Sequence, residues 1–196
     1  MATGRNRADN KVDRADPARG AEKMGAEKIS PEKIGPEKIR DKTMAAALKI
    51  LASRARSENQ LRERLLAKPW ADAEAVEDCI TRLKELGYVN DSLFAHGYAS
   101  SRLNLRAVGR GRLARELRAK RVSGETIDEA LDLVFDEVGE ESLIDRAIRK
   151  RIRTHGRPTD RASAKRMFDH LVRLGFGYDL IIRKLRALKA EVGQEE

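Results

Sequence analysis

The feature that most constrains the fold is a pair of apolar residues, four positions apart, that recurs about every fifty residues. The three pairs are Leu61 with Leu65, Leu113 with Leu117, and Met167 with Leu171. A spacing of four places both members of a pair on one face of a helix. A period of this length is typical of tandem arrays, in which each unit buries its apolar face partly against its neighbours.

Helical periodicity continues between these pairs, and no segment shows the alternation of a strand. The sequence therefore predicts an all-α fold: an elongated, curved array of three tandem three-helix repeats, preceded by a disordered N-terminal tail. The predicted tail covers residues 1–41, and the repeats cover residues 42–89, 90–138 and 139–196. The predicted helices begin near 42, 57, 72, 91, 109, 124, 141, 159 and 179.

Turn and cap signals set the predicted helix ends. Gly87 can end a helix in the left-handed conformation without steric cost. Asn90 or Asp91 can cap the next helix, and Ser57 with Gln60 matches a capping box. The first helix is expected to turn Leu48, Leu51, Ala52 and Ala55 inward, and the third Val76, Cys79, Ile80, Leu83 and Leu86.

The predicted tail contains a five-residue unit, Ala or Pro followed by Glu-Lys, that is repeated between residues 21 and 40. A step of five residues turns a helix by about 140°, so the apolar members Ile29 and Ile34 form no stripe. Pro31 and Pro36 also disfavour helix in the residues before them. A disordered, low-complexity segment is the favoured interpretation. A basic arm that tethers to DNA is the alternative, but its glutamates cancel most of the positive field.

Charge is strong and unevenly distributed. The net charge of +9 favours an anionic partner, namely nucleic acid, an acidic protein surface or a charged membrane face. Residues 122–142 carry eight acids and no basic residue, whereas the segments on either side are rich in arginine. Scattered arginines on solvated helix faces would not explain this segregation, which instead indicates two cationic patches.

The residues do not match known catalytic or cofactor motifs. Gly109 and Gly111 fit the glycine spacing of a dinucleotide-binding loop, but that motif needs a preceding strand, and a corner between helices is the better interpretation. The three histidines lack metal-ligand spacing with Cys79, which we expect to be a core residue. We therefore predict no enzyme, no cofactor and no metal. No long apolar run is present, and we expect a cytoplasmic protein.

Aromatic residues give no signal for base stacking. Tyr88, Phe94 and Tyr98 lie at helical spacing and are expected in the core. Trp70, in the corner between the second and third helices, is expected to pack against the third helix.

Several motifs, in this order, resemble the RecX family of regulators of the RecA recombinase. Repeat 1 contributes the spacing of Ser57, Leu61 and Leu65, and the corner after it reads Leu-Gly-Tyr-Val-Asn-Asp-x-x-Phe-Ala over residues 86–95. The middle motif, Gly-x-x-Arg-Leu-x-x-Glu-Leu-x-x-Lys-x-Val, covers residues 109–122, and Leu-x-x-Leu-Gly-Phe covers 171–176. The sequence departs from the family pattern at Pro69-Trp70 and in the tail.

The resemblance implies a non-catalytic protein that binds the RecA–single-stranded-DNA filament and restrains its assembly, ATPase and strand exchange. The implied partners are the RecA filament and single-stranded DNA, with duplex DNA a further candidate, no membrane, and a monomeric state. A stand-alone DNA-binding or architectural helical protein is the alternative. Glu116 is expected to hold a neighbouring arginine in place. On electrostatic grounds, the predicted contact residues are Arg102, Arg106, Arg110, Arg112, Arg115, Arg118, Lys120, Arg121, Arg149, Arg153, Arg183 and Arg186.

Overall fold

The described part of the chain, residues 35–192 of a computed structural model, is helical throughout and contains no strand. The helices group in threes along an elongated, curved array, as predicted. We call α1–α3 repeat 1, α4–α6 repeat 2 and α7–α9 repeat 3. The helices are α1 (Pro36–Ser53), α2 (Glu58–Leu66), α3 (Ala73–Glu85), α4 (Asp91–Leu105), α5 (Arg110–Arg118), α6 (Gly124–Val138), α7 (Glu140–His155), α8 (Arg161–Leu174) and α9 (Tyr178–Val192).

The first helix starts earlier than the sequence indicated. It begins at Pro36, so residues 36–41, assigned above to the tail, are helical. Proline fits the first turn of a helix because its fixed φ suits the helix and its missing amide hydrogen has no partner there. Residues 1–34, which hold most of the predicted tail, lie outside the described residues. The predicted boundaries between repeats stay predictions.

Side-chain caps begin most of the helices. Ser57 and Ser123 accept hydrogen bonds from the amides of Gln60 and Thr126. The Ser57 half of the predicted capping box of α2 is therefore present, whereas α2 lacks the return bond from the Ser57 amide to the Gln60 side chain. At α4 the capping residue is Asn90, whose side chain accepts from the Leu93 amide at 2.9 Å. Asp91, the other candidate cap, bonds elsewhere. These contacts satisfy amide hydrogens that the first turn of a helix leaves free.

The buried faces of α1 and α4 differ from the prediction. The inward face of α1 is formed by Ile39, Thr43 and Ala47, whereas Leu48 is exposed. Thr43 can be buried because its hydroxyl donates to the carbonyl of Ile39 at 2.8 Å. In α4 the buried residues are Ala95, Ala99 and Leu103. Small side chains there allow α4 to pack closely along α6.

Two residues predicted to face inward at the α3–α4 corner are exposed. Leu86 is 50% exposed and Tyr88 is 61% exposed. Gly87 has φ +75°, so it follows the end of α3 in the left-handed conformation, as predicted. The turn carries both neighbouring side chains outward, while Val89 returns to the core.

The buried residues form two separate apolar cores. The smaller core lies within repeat 1 and includes Leu61, Leu65 and Ile80. The larger core is shared by repeats 2 and 3, and includes Leu113 from one and Leu171 from the other. Both members of all three recurring apolar pairs are buried, which confirms the interpretation of the period.

Repeats 2 and 3 meet through a close approach of backbone to backbone. The amide of Gly109 donates to the carbonyl of Leu174 at 2.9 Å, and the amide of Gly111 donates to that of Gly175 at 3.0 Å. A Cβ atom on Gly109 would lie 2.4 Å from the backbone of Gly175. The two glycines of the apparent dinucleotide motif therefore serve helix packing.

Repeats 1 and 2 meet instead through polar groups. The Ser57 hydroxyl donates to the carbonyl of Lys120, and the Asn59 side chain donates to the carbonyl of Arg121 at 2.9 Å. The amide of Glu58 donates to Asp91 Oδ1 at 2.7 Å. This junction connects the start of α2 with the α5–α6 corner and the start of α4.

Within residues 35–192, none of the helices has both the length and the apolar character required to cross a membrane.

Candidate functional site

Glu116 on α5 is the centre of a hydrogen-bonded cluster of basic and aromatic side chains. Arg102 on α4 donates to both of its carboxylate oxygens at 2.9 Å, and Arg112 donates to Oε1 at 3.0 Å. The Tyr98 hydroxyl donates to Oε2 at 2.8 Å. Arg102, followed by Tyr98 and Arg112, lowers the pKa of Glu116 to about 2. The predicted role of Glu116, to hold a neighbouring arginine in place, matches this geometry.

Two cations, Lys120 and Arg102, lie against the Tyr98 ring. Lys120 Nζ lies 4.6 Å from the ring centroid, and the guanidinium carbon of Arg102 lies 6.0 Å from it. Burial lowers the pKa of Lys120, and the charges of Arg54 and Arg56 lower it further. The α1–α2 corner of repeat 1, which carries both arginines, is joined to Lys120 of repeat 2 by the hydrogen bond from the Ser57 hydroxyl to the Lys120 carbonyl.

Arg56 has an unusual environment for a guanidinium group. The side chain is half-buried, and its Nε is buried with no hydrogen-bond partner among the described residues. Burial lowers the pKa of Arg56, and the neighbouring charges of Arg64 and Arg54 lower it further. A buried donor without a partner is uncommon in folded proteins and requires an explanation.

An open groove of about 390 Å³, lined in part by Glu116, continues the basic surface into repeat 3. Its lining includes Arg112 and Arg115 from α5 and Arg173 from α8. Arg115 and Arg173 are exposed and have no ion-pair partner among the described residues. We define the cationic stripe as Arg54, Arg56, Lys120, Arg102, Arg112, Arg115 and Arg173, which together cross all three repeats and both junctions.

The structure divides the predicted contact residues into two groups. The first group is held in ion pairs within the fold and includes Arg110, whose guanidinium lies 3.7 Å from Asp128 and also bonds Asp132. The second group is exposed, with no ion pair among the described residues. The ion-paired residues are Arg102, Arg110, Arg112, Arg121 and Arg183; the exposed ones are Arg106, Arg115, Arg118, Arg149, Arg153 and Arg186; Lys120 lies against Tyr98.

The acidic segment is partly neutralised by the basic residues around it. Arg110 is bonded to Asp132, and Arg183 is bonded to Glu141 at 2.6 Å. Lys184 Nζ also lies 3.3 Å from Glu141. Segregation of charge along the sequence therefore overstates segregation on the surface.

The sequence reasoning missed Arg54, Arg56 and Arg173, because these residues join the stripe only through tertiary packing. A signal for Arg54 was nevertheless present. Arg54, Arg106 and Arg157 each stand three residues before the residue that caps the middle helix of a repeat. Comparison of the repeats at these corners would have added Arg54 to the candidates.

A smaller basic cavity of about 240 Å³ lies at the α7–α8 corner. Its lining includes Arg151, His155 and Arg166. Near it, burial lowers the pKa of His170, and the charges of Arg151 and Arg173 lower it further. This cavity belongs to repeat 3 alone.

Residues set aside in the sequence analysis have structural roles. Cys79 is buried, its Sγ lies 3.9 Å from the Met44 sulfur, and burial raises the pKa of its thiol. The half-buried Trp70 has Lys42 Nζ of α1 4.8 Å from its ring centroid. No cluster of histidine, cysteine and acidic residues suited to a metal ion is found within residues 35–192.

Comparison with known families gives two matches in the body of the chain. The model of the first three-helix domain of RecX matches residues 44–83, and that of the second three-helix domain matches residues 90–131. These segments contain the middle helices α2 and α5 and their neighbours.

Known structures agree on the fold. A crystal structure of RecX from Lactobacillus salivarius superimposes with a TM-score of 0.68 at 21% identity, covering 78% of this chain and 97% of the other. A second structure, titled regulatory protein RecX, gives a TM-score of 0.64 at 22% identity over 74% of this chain and 70% of the other.

Curated relatives extend the similarity to most of the chain. The protein named Regulatory protein RecX of Streptomyces coelicolor is 33% identical over 155 residues, covering 79% of this chain and 81% of its own. That of Halorhodospira halophila is 33% identical over 156 residues, covering 77% of this chain and 88% of its own. Together with the two matched domains and the shared fold, this identity shows that the chain belongs to the RecX family.

Proposed function

We propose that the protein is a non-catalytic regulator that binds the RecA–single-stranded-DNA filament and modulates, mainly by inhibition, its assembly, ATPase and strand exchange. The support comes first from relatives that carry the name Regulatory protein RecX. In this proposal the protein acts in the cytoplasm, as a monomer, in recombination and DNA repair.

The observation that carries the proposal is the cationic stripe. It crosses repeats 1, 2 and 3 and contains seven basic side chains, with Glu116 as the carboxylate bonded among them. A long basic surface on an elongated array suits a long anionic partner, because phosphate or carboxylate groups repeat along a nucleoprotein polymer. A compact anionic ligand would need only one part of this surface.

The geometry favours preorganised binding. Glu116 fixes the guanidinium planes of Arg102 and Arg112 and leaves their remaining hydrogens available to a partner. Arg115 and Arg173 face the groove without an internal ion pair among the described residues. Arg102 and Arg112 therefore need little further ordering when a partner binds. Arg115 and Arg173 contribute positive charge that no ion pair within the described residues neutralises.

A titration of recombinase ATPase tests the proposal. Increasing amounts of the protein should suppress ATP hydrolysis by the cognate RecA on single-stranded DNA at substoichiometric ratios. The variant Arg115→Glu/Arg173→Glu should require at least about tenfold more protein for the same suppression, because two charges in the groove are reversed. Lys49→Glu/Lys68→Glu makes the same change in net charge on exposed residues of repeat 1 outside the stripe, and should behave like the wild type.

Unchanged hydrolysis across the full titration would contradict filament regulation. Sequence-selective binding to naked duplex at physiological salt, without an effect on the filament, would instead support a stand-alone DNA-binding protein. If both double variants lost the same degree of ATPase suppression, net charge and not the position of the groove would determine the effect.

A further inference from the structure

The junction between repeats 1 and 2 gathers positive charge that the fold does not neutralise. Ser57, the residue after Arg56, donates its hydroxyl hydrogen to the backbone carbonyl of Lys120. This bond fixes the α1–α2 corner beside the α5–α6 corner and places Arg56 next to Lys120. Arg54, the C-cap residue of α1, belongs to the same corner. Burial, followed by the charges of Arg54 and Arg56, lowers the pKa of Lys120.

No carboxylate is engaged by these three cations among the described residues. Glu116, the nearest acid in the stripe, is already bonded to Arg102, Arg112 and Tyr98. Like charges held together are destabilising, and the buried Nε of Arg56 has no acceptor. One anion placed between the corners would offset the repulsion among the three cations.

We propose that a phosphate group of a nucleic acid backbone binds at this junction, between Arg54, Arg56 and Lys120, and thereby holds repeat 1 against repeat 2. The inference deepens the proposed function and rests on it for the identity of the nucleic acid. The half-exposed Arg56 side chain makes no hydrogen bond or ion pair among the described residues, so its guanidinium is free to donate to the phosphate, and Lys120 and Arg54 contribute charge from the two repeats.

A phosphodiester suits the site better than an acidic side chain of a protein. The two adjoining corners carry two guanidinium groups and one ammonium group, and a phosphate presents several acceptor oxygens to donors from different directions. The aromatic ring at the site, Tyr98, is already covered by Lys120 at 4.6 Å, so stacking of a base is not available on that face. Binding should therefore depend on the backbone and be independent of sequence.

The consequence for the fold follows from the two cores. Repeat 1 has its own core and is joined to repeat 2 by polar contacts, so an anion that contacts both corners adds a link where the apolar packing is absent. Occupancy should slow opening of this junction and leave the junction between repeats 2 and 3 unchanged.

The test measures binding of the full chain, without recombinase, to fluorescent oligothymidylate over a range of salt concentrations. Arg56→Gln and Lys120→Gln should each weaken binding about tenfold. Each should also reduce the slope of log affinity against log salt by about 0.7, the value for loss of one phosphate contact on a single strand. Lys68→Gln removes one exposed charge from repeat 1 and should change affinity less than about twofold.

Hydrogen exchange provides a second measurement. Oligothymidylate should slow exchange in residues 54–60 and 119–123 of the wild type, and this protection should be lost in Lys120→Gln even if Arg56→Gln does not fold. The same measurement with inorganic phosphate tests whether the site binds any phosphate or needs a polymer. Protection from exchange by both inorganic phosphate and oligothymidylate supports the site, with the polymer adding affinity.

Three results would overturn the inference. They are binding of polyglutamate in place of oligothymidylate, an unchanged salt slope in both variants, or equal losses in Lys68→Gln. The ATPase titration separates this inference from the proposed function. If Arg56→Gln and Lys120→Gln suppress hydrolysis normally and bind oligothymidylate normally, the junction site is wrong while filament regulation stands.

Discussion

The two junctions of this array join similar three-helix units by different means. Repeats 2 and 3 share one apolar core and meet through glycine backbones, with Gly109 and Gly175 in direct contact. Repeats 1 and 2 keep separate cores and meet through hydrogen bonds from Ser57, Glu58 and Asn59. Repetition of a unit along a sequence therefore does not determine how firmly neighbouring units are coupled.

The two kinds of junction should differ in the free energy that couples neighbouring repeats. Each apolar side chain buried across a junction contributes a small stabilising free energy, and all of these contributions are lost when the junction opens. Repeats 2 and 3 should therefore unfold as one unit. A typical hydrogen bond contributes only about 1 kcal/mol net, so the few bonds at the first junction couple repeat 1 weakly. Repeat 1 is thus the part of the described chain that should open first.

The largest effect is expected from Gly175→Ala at the junction of repeats 2 and 3. Gly175 has φ +90°, and a Cβ atom there would lie 2.2 Å from the amide nitrogen of Arg112. Backbone strain and the displaced helix together should lower the free energy of unfolding by about 4 kcal/mol, measured by urea denaturation.

Gly87→Ala is the matched control for that change. Gly87 has a similar φ of +75°, but an added Cβ atom meets nothing within 4 Å. Its cost should be about 1 kcal/mol, from the left-handed conformation alone. Equal costs for the two variants would mean that the glycine contact does not couple repeats 2 and 3.

An intermediate effect should come from acid, through Glu116, which lies between the two junctions. Its pKa in the folded state is about 2, below its ordinary value of 4.5, chiefly because Arg102 donates to it. A lowered pKa means that the carboxylate stabilises the fold above about pH 4.5. The full contribution is about 3 kcal/mol, and about 2 kcal/mol of it is lost by pH 3 as the pH falls towards 2.

The measurement is the unfolding free energy of wild type and Glu116→Gln at pH 7 and pH 3. The glutamine variant cannot titrate at this position, so it should lose about 2 kcal/mol less than wild type between the two values. Other acids titrate equally in both proteins and cancel in the difference. Parallel losses would show that Glu116 does not link the two sides of the stripe.

The smallest effect is expected from Ser57→Ala at the junction of repeats 1 and 2. The variant loses the cap of α2 and the bond to the carbonyl of Lys120, whereas Ser123→Ala loses a cap at the start of α6. Ser57→Ala should therefore cost about 1 kcal/mol more than Ser123→Ala. Hydrogen exchange should become faster in residues 36–89 of Ser57→Ala. Faster exchange throughout the chain would argue for tight coupling of all three repeats.

The sequence predicted the helical repeat because its signal is local. Ser57 and Ser123 are cap residues at the expected places, and Leu113 and Leu117 are buried. Phe94 and Tyr98 of α4, which were expected in the core, are only partly buried against it, while the smaller Ala95 and Ala99 are fully buried. Hydrophobicity alone favours the larger side chain, but the close packing of α4 along α6 selects the small ones.

The candidate site was predicted only in its central part. Arg102, Arg112 and Arg115 lie in one continuous basic segment of the sequence, so charge alone identified them. Arg56 and Arg173 are more than fifty residues from Arg112 along the chain and reach the same surface through packing. Arg110 looked equivalent to its neighbours in sequence, but Asp132 neutralises it in the fold.

The separate core of repeat 1 has a practical consequence for protein engineering. A polypeptide beginning at Asn90 would retain every side chain of the larger core, so repeats 2 and 3 should remain a stable fragment. A polypeptide ending at Val138 would instead uncover the surfaces of α5 and α6 that α8 and α7 cover. The N-terminal unit is therefore the natural place to graft a homologous segment or to shorten the protein, since the rest of the molecule can fold without it.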